Sequence, residues 1–184
     1  MREVLLYLIL KFSEIYGGEI DGRKKIQKLL FLVEHYDPDR KIVTTSSNTT
    51  GYEFIIWSYG PFSKKIYDDI DRSVERGLLE ERVISSDIKP DLSLYIDDGY
   101  PKRIYLYKPT KELLRKRYDI ERKLDEKVVE KITKILKLFG FRKPYKLEEF
   151  TNALLRLTQE KKIIYWGKEV DYYLRKERII GAET

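Results

Sequence analysis

Apolar residues recur at helical spacing from the start of the chain. The pattern predicts a helix over residues 3–15, whose apolar side contains Leu5, Leu8, Phe12 and Ile15. Apolar side chains cover most of the circumference of this helix, which indicates burial on two sides or a contact in a homodimer. A second helix is predicted from Arg23 to Tyr36, and its first turns are basic.

The middle of the chain changes from extended to helical patterns. Residues 41–45 and 52–59 are rich in β-branched and aromatic types and predict strands or extended segments. Gly60 followed by Pro61 predicts the start of a third helix, because proline is tolerated at the first helical position. Gly77 fits the left-handed residue that commonly ends a helix.

A two-stranded ribbon and a set of helices are predicted for the rest of the chain. Residues 78–85 and 103–108 have strand composition, and the polar excursion between them contains proline and aspartate. Thr110 starts a further helix. The remaining pattern is helical over about 122–139, 146–160 and 168–178.

Three helices followed by a ribbon and another helix is the order expected of a winged helix. The chain is therefore predicted to be α+β and mostly α, with a winged-helix domain that contains a small β-ribbon. We expect this domain to span residues 1–118. Residues 119–184 are predicted to form a helical extension that packs on the first part or serves in oligomerisation.

Composition narrows the classes of protein that fit. Charged residues make up 37% of the chain, and the absence of cysteine excludes disulfides and Cys-ligated metal sites. Abundant Lys, Glu, Arg, Ile and Tyr, with only two Gln and two Asn, resemble the bias of heat-adapted proteins. The apolar run Val4 to Leu10 is too short for a signal peptide or a membrane span, so we expect a cytoplasmic protein without a membrane partner.

No catalytic, cofactor or metal site is predicted. His35 is the only histidine, and a lone histidine on a helix is more often packed or exposed than a catalytic base. No glycine-rich phosphate loop follows a strand. Paired aspartates such as Asp97 and Asp98 diverge on a strand or helix. The sequence thus predicts a non-enzymatic protein without a small-molecule substrate.

Two separated motifs resemble a known family. Residues 22–34 read GRKKIQKLLFLVE, residues 52–70 read YEFIIWSYGPFSKKIYDDI, and GLLEE follows. They resemble the YwgA-like and SocA-like antitoxin (Panacea) group, with its K-x-Q-K-L helix, Y-G-P-x-S helix start and G-L-[LI] helix end. The residues that carry the match are Gln27, Lys28, Leu29, Tyr59, Gly60, Pro61, Phe62 and Ser63. The resemblance implies a winged-helix-like, non-enzymatic protein connected with toxin neutralisation, adaptor roles or DNA binding.

A net charge of +6 on a winged helix predicts DNA binding as a transcription regulator does. Between residues 102 and 117 there are seven basic residues and a single acidic residue, Glu112. The start of the second helix contains further basic residues. Such a surface would contact the phosphate backbone with strong salt dependence. The candidate DNA-binding residues are Arg23, Lys24, Lys28, Lys64, Lys65, Lys102, Arg103 and Lys108.

The third helix favours a different partner. Residues 62–76 contain four basic and four acidic residues, and aspartates on a helix in the major groove would be repelled by phosphate. Alternating charge suits a protein partner, such as a toxin. The candidate protein-contact residues are Asp68, Asp69, Asp71, Arg72 and Arg76. The tip of the ribbon is acidic and also favours a protein partner, since it contains Asp87, Asp91, Asp97 and Asp98. The sequence therefore does not decide between DNA and a protein as the partner.

Some of the fifteen tyrosines also have the chemistry to stack on bases. Tyr59, Tyr67, Tyr105 and Tyr107 fall in the strands and the third helix. Tyrosines at such positions more often pack their rings and direct the hydroxyl to water or a carbonyl, so we expect these four to contribute to the core.

Overall fold

A computed structural model describes residues 2–85 and 103–180. The helices are α1 (Arg2–Tyr16), α2 (Gly22–His35), α3 (Lys64–Glu75), α4 (Lys111–Arg115), α5 (Arg117–Glu121), α6 (Glu126–Phe139), α7 (Pro144–Leu154), α8 (Gln159–Ile164) and α9 (Val170–Lys176). The strands are β1 (Ile20–Asp21), β2 (Tyr36–Asp37), β3 (Ile42–Val43), β4 (Ile55–Trp57), β5 (Gly60–Phe62), β6 (Leu79–Ser85) and β7 (Arg103–Pro109). The fold is α+β and mostly helical, as predicted.

The two predicted N-terminal helices form the centre of the molecule. Every residue of α1 from Val4 to Leu10 is buried, because α3, α5, α6 and β7 pack around it. Burial within the chain therefore accounts for the apolar circumference of this helix. Helix α2 is also buried along most of its length, because α6, α7, β5 and β7 pack around it.

The predicted ribbon forms part of a three-stranded antiparallel sheet. Strands β6 and β7 pair from Leu79 opposite Pro109 to Ser85 opposite Arg103, and β1 joins the other edge of β7, so the order is β1-β7-β6. Helix α4 then begins after Thr110, whose hydroxyl accepts a hydrogen bond from the Leu113 backbone N–H. The excursion that joins β6 to β7, with its acidic tip and Lys102, lies outside the described residues.

The prediction of a helix start at Gly60 and Pro61 is wrong, because these residues form β5. They pair with β4 in a hairpin, and α3 begins only after Ser63. Pro61 is tolerated in β5 because Ile56, the residue opposite it on β4, directs its backbone N–H and carbonyl away from β5. No hydrogen bond from an N–H at position 61 is therefore needed. The Ile56 N–H donates to the Lys168 carbonyl, and the Ile56 carbonyl accepts from Gly167, at 2.8 and 2.9 Å.

The end of α3 agrees with the prediction at Gly77. Gly77 has a φ of +66°, its N–H donates to the Val74 carbonyl at 2.9 Å, and the next residue, Leu78, donates to Ser73 at 2.9 Å. These two bonds satisfy the last carbonyls of the helix in a Schellman motif. The motif turns the chain directly into β6.

The C-terminal helices share one hydrophobic core with the rest of the molecule. Buried residues from Val4 to Ile179 form a single cluster, and α6 and α7 pack on α1 and α2. The predicted helix over 122–139 begins later, because Asp125 caps α6 and accepts from the Lys127 N–H at 2.8 Å. The region predicted as one helix over 146–160 contains α7 and the start of the short α8.

The described helices are also relevant to the prediction about membranes. None of the helices in residues 2–85 and 103–180 combines the length and the apolar character needed to cross a bilayer.

Candidate functional site

The motif residues of α2 hold the β4–β5 hairpin in place. The Gln27 side chain pairs with Ser63 in both directions, because its amide donates to the Ser63 carbonyl at 2.6 Å and its oxygen accepts from the Ser63 N–H at 3.0 Å. The Lys28 ammonium donates to the carbonyls of Tyr59 and Pro61 at 2.6 and 2.9 Å. Leu29 is fully buried beside them. The two halves of the motif are therefore partners in a single structural unit.

Lys28 was expected to contact DNA, and the structure places it inside the fold. Its side chain is 2% exposed, and both of its hydrogen bonds go to backbone carbonyls. Burial lowers the pKa of Lys28 to about 7, since the charged amine loses its water. An ammonium enclosed in this way does not reach a phosphate, so Lys28 is removed from the DNA-binding candidates.

Arg23 joins three parts of the fold. Its guanidinium donates to the Tyr107 hydroxyl and to the Asp71 carboxylate, both at 2.6 Å, and to Glu81 at 3.1 Å. The Glu81 carboxylate also accepts from the Tyr107 hydroxyl at 2.5 Å, and burial together with this acid raises the pKa of Tyr107. Arg23 thus connects α2 to α3 and to both long strands, and two carboxylates compensate its charge.

Lys24 is also engaged within the fold. Its ammonium donates to Glu148 of α7 at 2.7 Å and lies 4.2 Å from the centre of the Tyr59 ring. Together with Arg103 at the first position of β7, Arg23 and Lys24 line a groove of about 760 Å³ whose walls include Tyr67, Tyr105 and Tyr145. The structure therefore brings three of the DNA-binding candidates together, although the charges of two of them are already paired.

The remaining basic candidates lie at separate places. Lys64 and Lys65 are exposed on the first turn of α3, and Arg103 is exposed at the start of β7. Lys108 forms an ion pair with Glu80 of the neighbouring strand at 3.0 Å. Ion pairs of Lys116 with Glu112 and of Arg117 with Glu14 reduce the excess of positive charge that the sequence shows beyond residue 102.

Two of the acidic residues of α3 are bonded to other parts of the chain. Asp69 is 5% exposed and accepts a hydrogen bond from the buried Tyr52 hydroxyl at 2.9 Å, while Asp71 is held by Arg23. The equal count of charges in the sequence therefore does not describe the surface of the helix. We call the solvent-facing side the α3 outer face, and it consists of Lys64, Lys65, Asp68, Arg72, Glu75 and Arg76.

A buried carboxylate organises the polar loop before β4. Glu34 of α2 accepts hydrogen bonds from Ser46, Ser47, Thr49 and Thr50, at distances from 2.5 to 3.2 Å. Burial raises the pKa of Glu34, but the bonds from Thr50 and Ser46 outweigh it, so the pKa lies below its usual value. The adjacent His35 packs its ring on Phe31, and burial lowers its pKa. Both residues serve the fold.

The structure contains an exposed pair of tryptophans that was not predicted from the sequence. Trp57 at the end of β4 stacks on Trp166 between α8 and α9, with 4.2 Å between ring centres. Tyr59, which was expected to join the core, is 58% exposed beside them, whereas Tyr107 is fully buried as expected. No local sequence pattern predicts a contact between residues so far apart. The rarity of tryptophan was the one signal that could have drawn attention to Trp57 and Trp166.

Comparison with known proteins connects this architecture to one family. The family model described as "Antitoxin SocA-like, Panacea domain" matches residues 26–154, which is well over half of the chain. The match includes the motif residues of α2 and the β4–β5 hairpin, and it continues through α6 and α7, which pack on α2. No curated protein matches the chain. The chain belongs to the SocA-like antitoxin family that is defined by the Panacea domain.

Proposed function

We propose that this chain is a non-enzymatic protein-interaction module of the antitoxin type, whose partner is a toxin or another protein. The observation that carries the proposal is the match of the antitoxin family over residues 26–154. We take its β1-β7-β6 sheet with α1, α2 and α3 to be a winged helix. The order of elements supports this assignment, because the strand after the first helix pairs with the last strand of the ribbon.

The α3 outer face is the candidate contact for the partner. From Asp68 through Arg72 and Glu75 to Arg76, the charges on this face alternate in sign, and Arg72 is 60% exposed. Mixed charge of this kind gives a protein partner specificity and a faster association rate. Asp69 supports this face from inside, because it is buried and bonded to Tyr52. Asp71 is 48% exposed, and its carboxylate is already bonded to Arg23.

Co-expression with the protein that is encoded beside this chain in its genome tests the proposal. We expect the neighbour to inhibit growth alone, and the chain to restore growth and to co-purify with it. Arg72→Glu together with Arg76→Glu should weaken binding by at least about tenfold, since rim and contact charges of an interface act on association and register. Lys137→Glu, an exposed charge reversal on α6, is the matched control. A chain that purifies alone and restores no growth contradicts the proposal.

DNA binding is the second candidate, and one observation favours it. Asp69 is buried and the charge of Asp71 is offset by Arg23. The four basic residues of the α3 outer face therefore outnumber its acidic residues, Asp68 and Glu75. A mobility shift across a salt series tests this hypothesis. We expect binding that weakens steeply with salt and a shallower salt slope for Lys64→Glu with Lys65→Glu. An absence of binding at low salt contradicts it.

A further inference from the structure

A polar cavity of about 360 Å³ lies between the end of α2, the polar loop before β4 and helix α9. Its lining contains three carboxylates and one guanidinium, those of Glu53, Glu169, Asp171 and Arg175. The backbone holds the two acidic segments side by side, because the Val170 N–H donates to the Phe54 carbonyl at 2.8 Å. The carboxylates of distant parts of the sequence therefore meet at one place, where they outnumber the single basic side chain.

Two of the three carboxylates have no partner within the described residues. Glu53 and Glu169 are exposed, and neither side chain forms an ion pair or a hydrogen bond there. Asp171 accepts a hydrogen bond from the Ser46 N–H at 2.8 Å, and its other oxygen lies 4.0 Å from the Arg175 guanidinium. Arg175 is 69% exposed, so water screens its charge. The cavity thus carries an excess of negative charge that Arg175 alone does not neutralise.

His35 adds a neutral acceptor to the lining of the cavity. Its side chain is 2% exposed and packs against the rings of Phe31 and Phe54. A carbonyl oxygen can only accept, so the Nδ1 that lies 3.1 Å from the Thr44 carbonyl carries the hydrogen. Burial lowers the pKa of His35, which keeps the ring neutral at physiological pH.

The second ring nitrogen of His35 is consequently an open acceptor. Nε2 has no hydrogen-bond partner among the described residues. Side chains that are this buried normally have their polar atoms bonded, so an open Nε2 indicates an occupant that donates a hydrogen bond. Together with the unpaired carboxylates, it makes the cavity a site for a cation with several N–H groups.

The spacing of these acceptors selects the kind of cation. Within residues 2–85 and 103–180, no three His, Asp or Glu side chains form a group that could hold a metal ion. A metal ion or an ammonium needs acceptors that converge on one atom, whereas a planar guanidinium directs five N–H donors outward to acceptors that lie apart. The chain itself places one guanidinium in this lining, that of Arg175 beside Asp171.

We propose that this cavity binds a guanidinium group. The carboxylates of Glu53 and Glu169 accept its outward N–H groups in charge-assisted hydrogen bonds, and the Nε2 atom of His35 accepts a further one. The group belongs either to a free guanidino compound or to an arginine side chain of a partner protein, since the same chemistry recognises both. The inference goes beyond the proposed function and does not depend on it, because neither source has to be a toxin.

Titration of the untagged full chain with butylguanidine tests the inference. His35 is the only histidine of the chain, so its imidazole resonances in NMR spectra report on this cavity. We expect a saturable shift of these resonances at neutral pH. Butylamine has the same alkyl chain with an ammonium and should bind at least about tenfold more weakly. N-acetylarginine amide separates the two sources. Its binding as tightly as butylguanidine indicates an arginine side chain, and binding of butylguanidine alone indicates a free compound.

Variants of the charged residues test which groups hold the ligand. Glu53→Gln with Glu169→Gln should weaken butylguanidine binding by at least about tenfold, because two charge-assisted hydrogen bonds are lost. Glu126→Gln with Glu160→Gln changes the net charge equally at exposed positions outside the cavity and should leave binding unchanged. Arg175→Gln should tighten binding by about threefold, since it removes an exposed competing cation. A gain of this kind cannot arise from misfolding.

The inference is overturned by any of several results. These are the absence of a saturable shift of the His35 resonances, equal binding of butylguanidine and butylamine, equal losses in the two double variants, or weaker binding by the Arg175→Gln variant. Because the titration contains no partner protein, these results leave the proposed function unaffected. A failure of the chain to bind its genome-encoded neighbour, in turn, leaves guanidinium binding unaffected.

Discussion

Gly60 lies where α7 comes closest to the β4–β5 hairpin. Its φ is +87°, and a Cβ at this position would collide with the side-chain oxygen of Asn152 and lie 3.5 Å from the Lys28 ammonium. Glycine therefore suits this position of the Y-G-P-x-S motif because its backbone is left-handed, and any larger residue would also have to displace the Asn152 side chain. The Asn152 oxygen has no hydrogen-bond partner among the described residues.

Gly60→Ala should lower the free energy of unfolding by about 2–4 kcal/mol, from backbone strain and overpacking together. Urea denaturation measures this loss. Gly77→Ala is the matched control, because Gly77 has a φ of +66° and open space around its Cα. The control should lose only about 1–2 kcal/mol. Equal losses at the two sites would show that the approach of α7 does not constrain Gly60.

Lys28 makes stability depend on pH in the alkaline range. In the unfolded chain its amine titrates at about 10.4, whereas burial lowers the pKa of Lys28 to about 7 in the fold. Between these values the unfolded state binds more protons, so the free energy of unfolding rises with pH. The slope from this residue is at most about 1.4 kcal/mol per pH unit.

Urea denaturation of Lys28→Met between neutral and alkaline pH isolates this contribution. We expect the variant to lose the upward slope, because methionine has a similar shape and does not titrate. Lys137→Met removes an exposed lysine and should retain the slope of the natural chain. A slope that persists unchanged in Lys28→Met would mean that the amine is not perturbed by burial.

Among the helices we describe, α2 makes the most side-chain hydrogen bonds and ion pairs to other segments of the chain. Arg23 at its start, Gln27 and Lys28 in its middle and Glu34 near its end hold the sheet, the hairpin and the polar loop respectively. The apolar side of the same helix packs in the core. One helix thus sets the positions of the segments around it.

Arg23→Met should lower the free energy of unfolding by about 2–4 kcal/mol, because Asp71 and Glu81 would be left as partly buried carboxylates without their cation. The matched control is Arg122→Met, which removes an arginine that is 77% exposed and forms a salt bridge with Asp119. This change should lower the free energy of unfolding by less than about 1 kcal/mol. Chemical denaturation of both variants at one pH gives the comparison. Similar costs for both would refute the view that Arg23 joins α2, α3 and the sheet.

Local patterns explain which elements could be predicted. The apolar spacing of α1 and α2, the glycine at the end of α3 and the threonine at the start of α4 all act within a few residues, and each prediction is confirmed. Gly60 and Pro61 misled the prediction because proline suits a strand edge as well as a helix start. The structure resolves this ambiguity through residues 167–168, which take the hydrogen bonds of Ile56.

The candidate site was harder to predict because its contacts join distant parts of the sequence. The motif residues Gln27 and Lys28 contact the hairpin motif, which their spacing in the sequence does not show. The partners of the neighbouring basic residues, Glu148 for Lys24 and Asp71 for Arg23, could not be assigned from spacing either. Counting charges in a segment also treats every side chain as exposed. Asp69 and Lys28 show the error, since each is buried and bonded inside the fold.

For the whole molecule, a single core extends across residue 118, where the sequence predicted a boundary. The buried cluster contains residues from both sides, and the family match also crosses this position. Trp57 and Trp166 come from the two predicted parts and stack on each other. We expect the described chain to behave as one cooperative unit.

Unfolding in urea, followed by tryptophan emission and by far-ultraviolet circular dichroism, should give coincident transitions. The single-tryptophan variants Trp57→Phe and Trp166→Phe then report separately on the two predicted parts, and their midpoints should agree between the two probes. An earlier transition for the variant that retains Trp166 would indicate that residues beyond 118 unfold independently.

The bond between β4 and residues 167–168 has a consequence for the order in which the chain is made. Synthesis proceeds from the N-terminus, so α2 and the hairpin leave the ribosome long before Trp166. Until residues 166–168 emerge, one edge of β4 lacks its backbone partner, and Trp57 lacks the ring on which it stacks. A nascent chain therefore cannot present Trp57 and Trp166 together. A partner that needs both rings would distinguish finished molecules from those still attached to the ribosome.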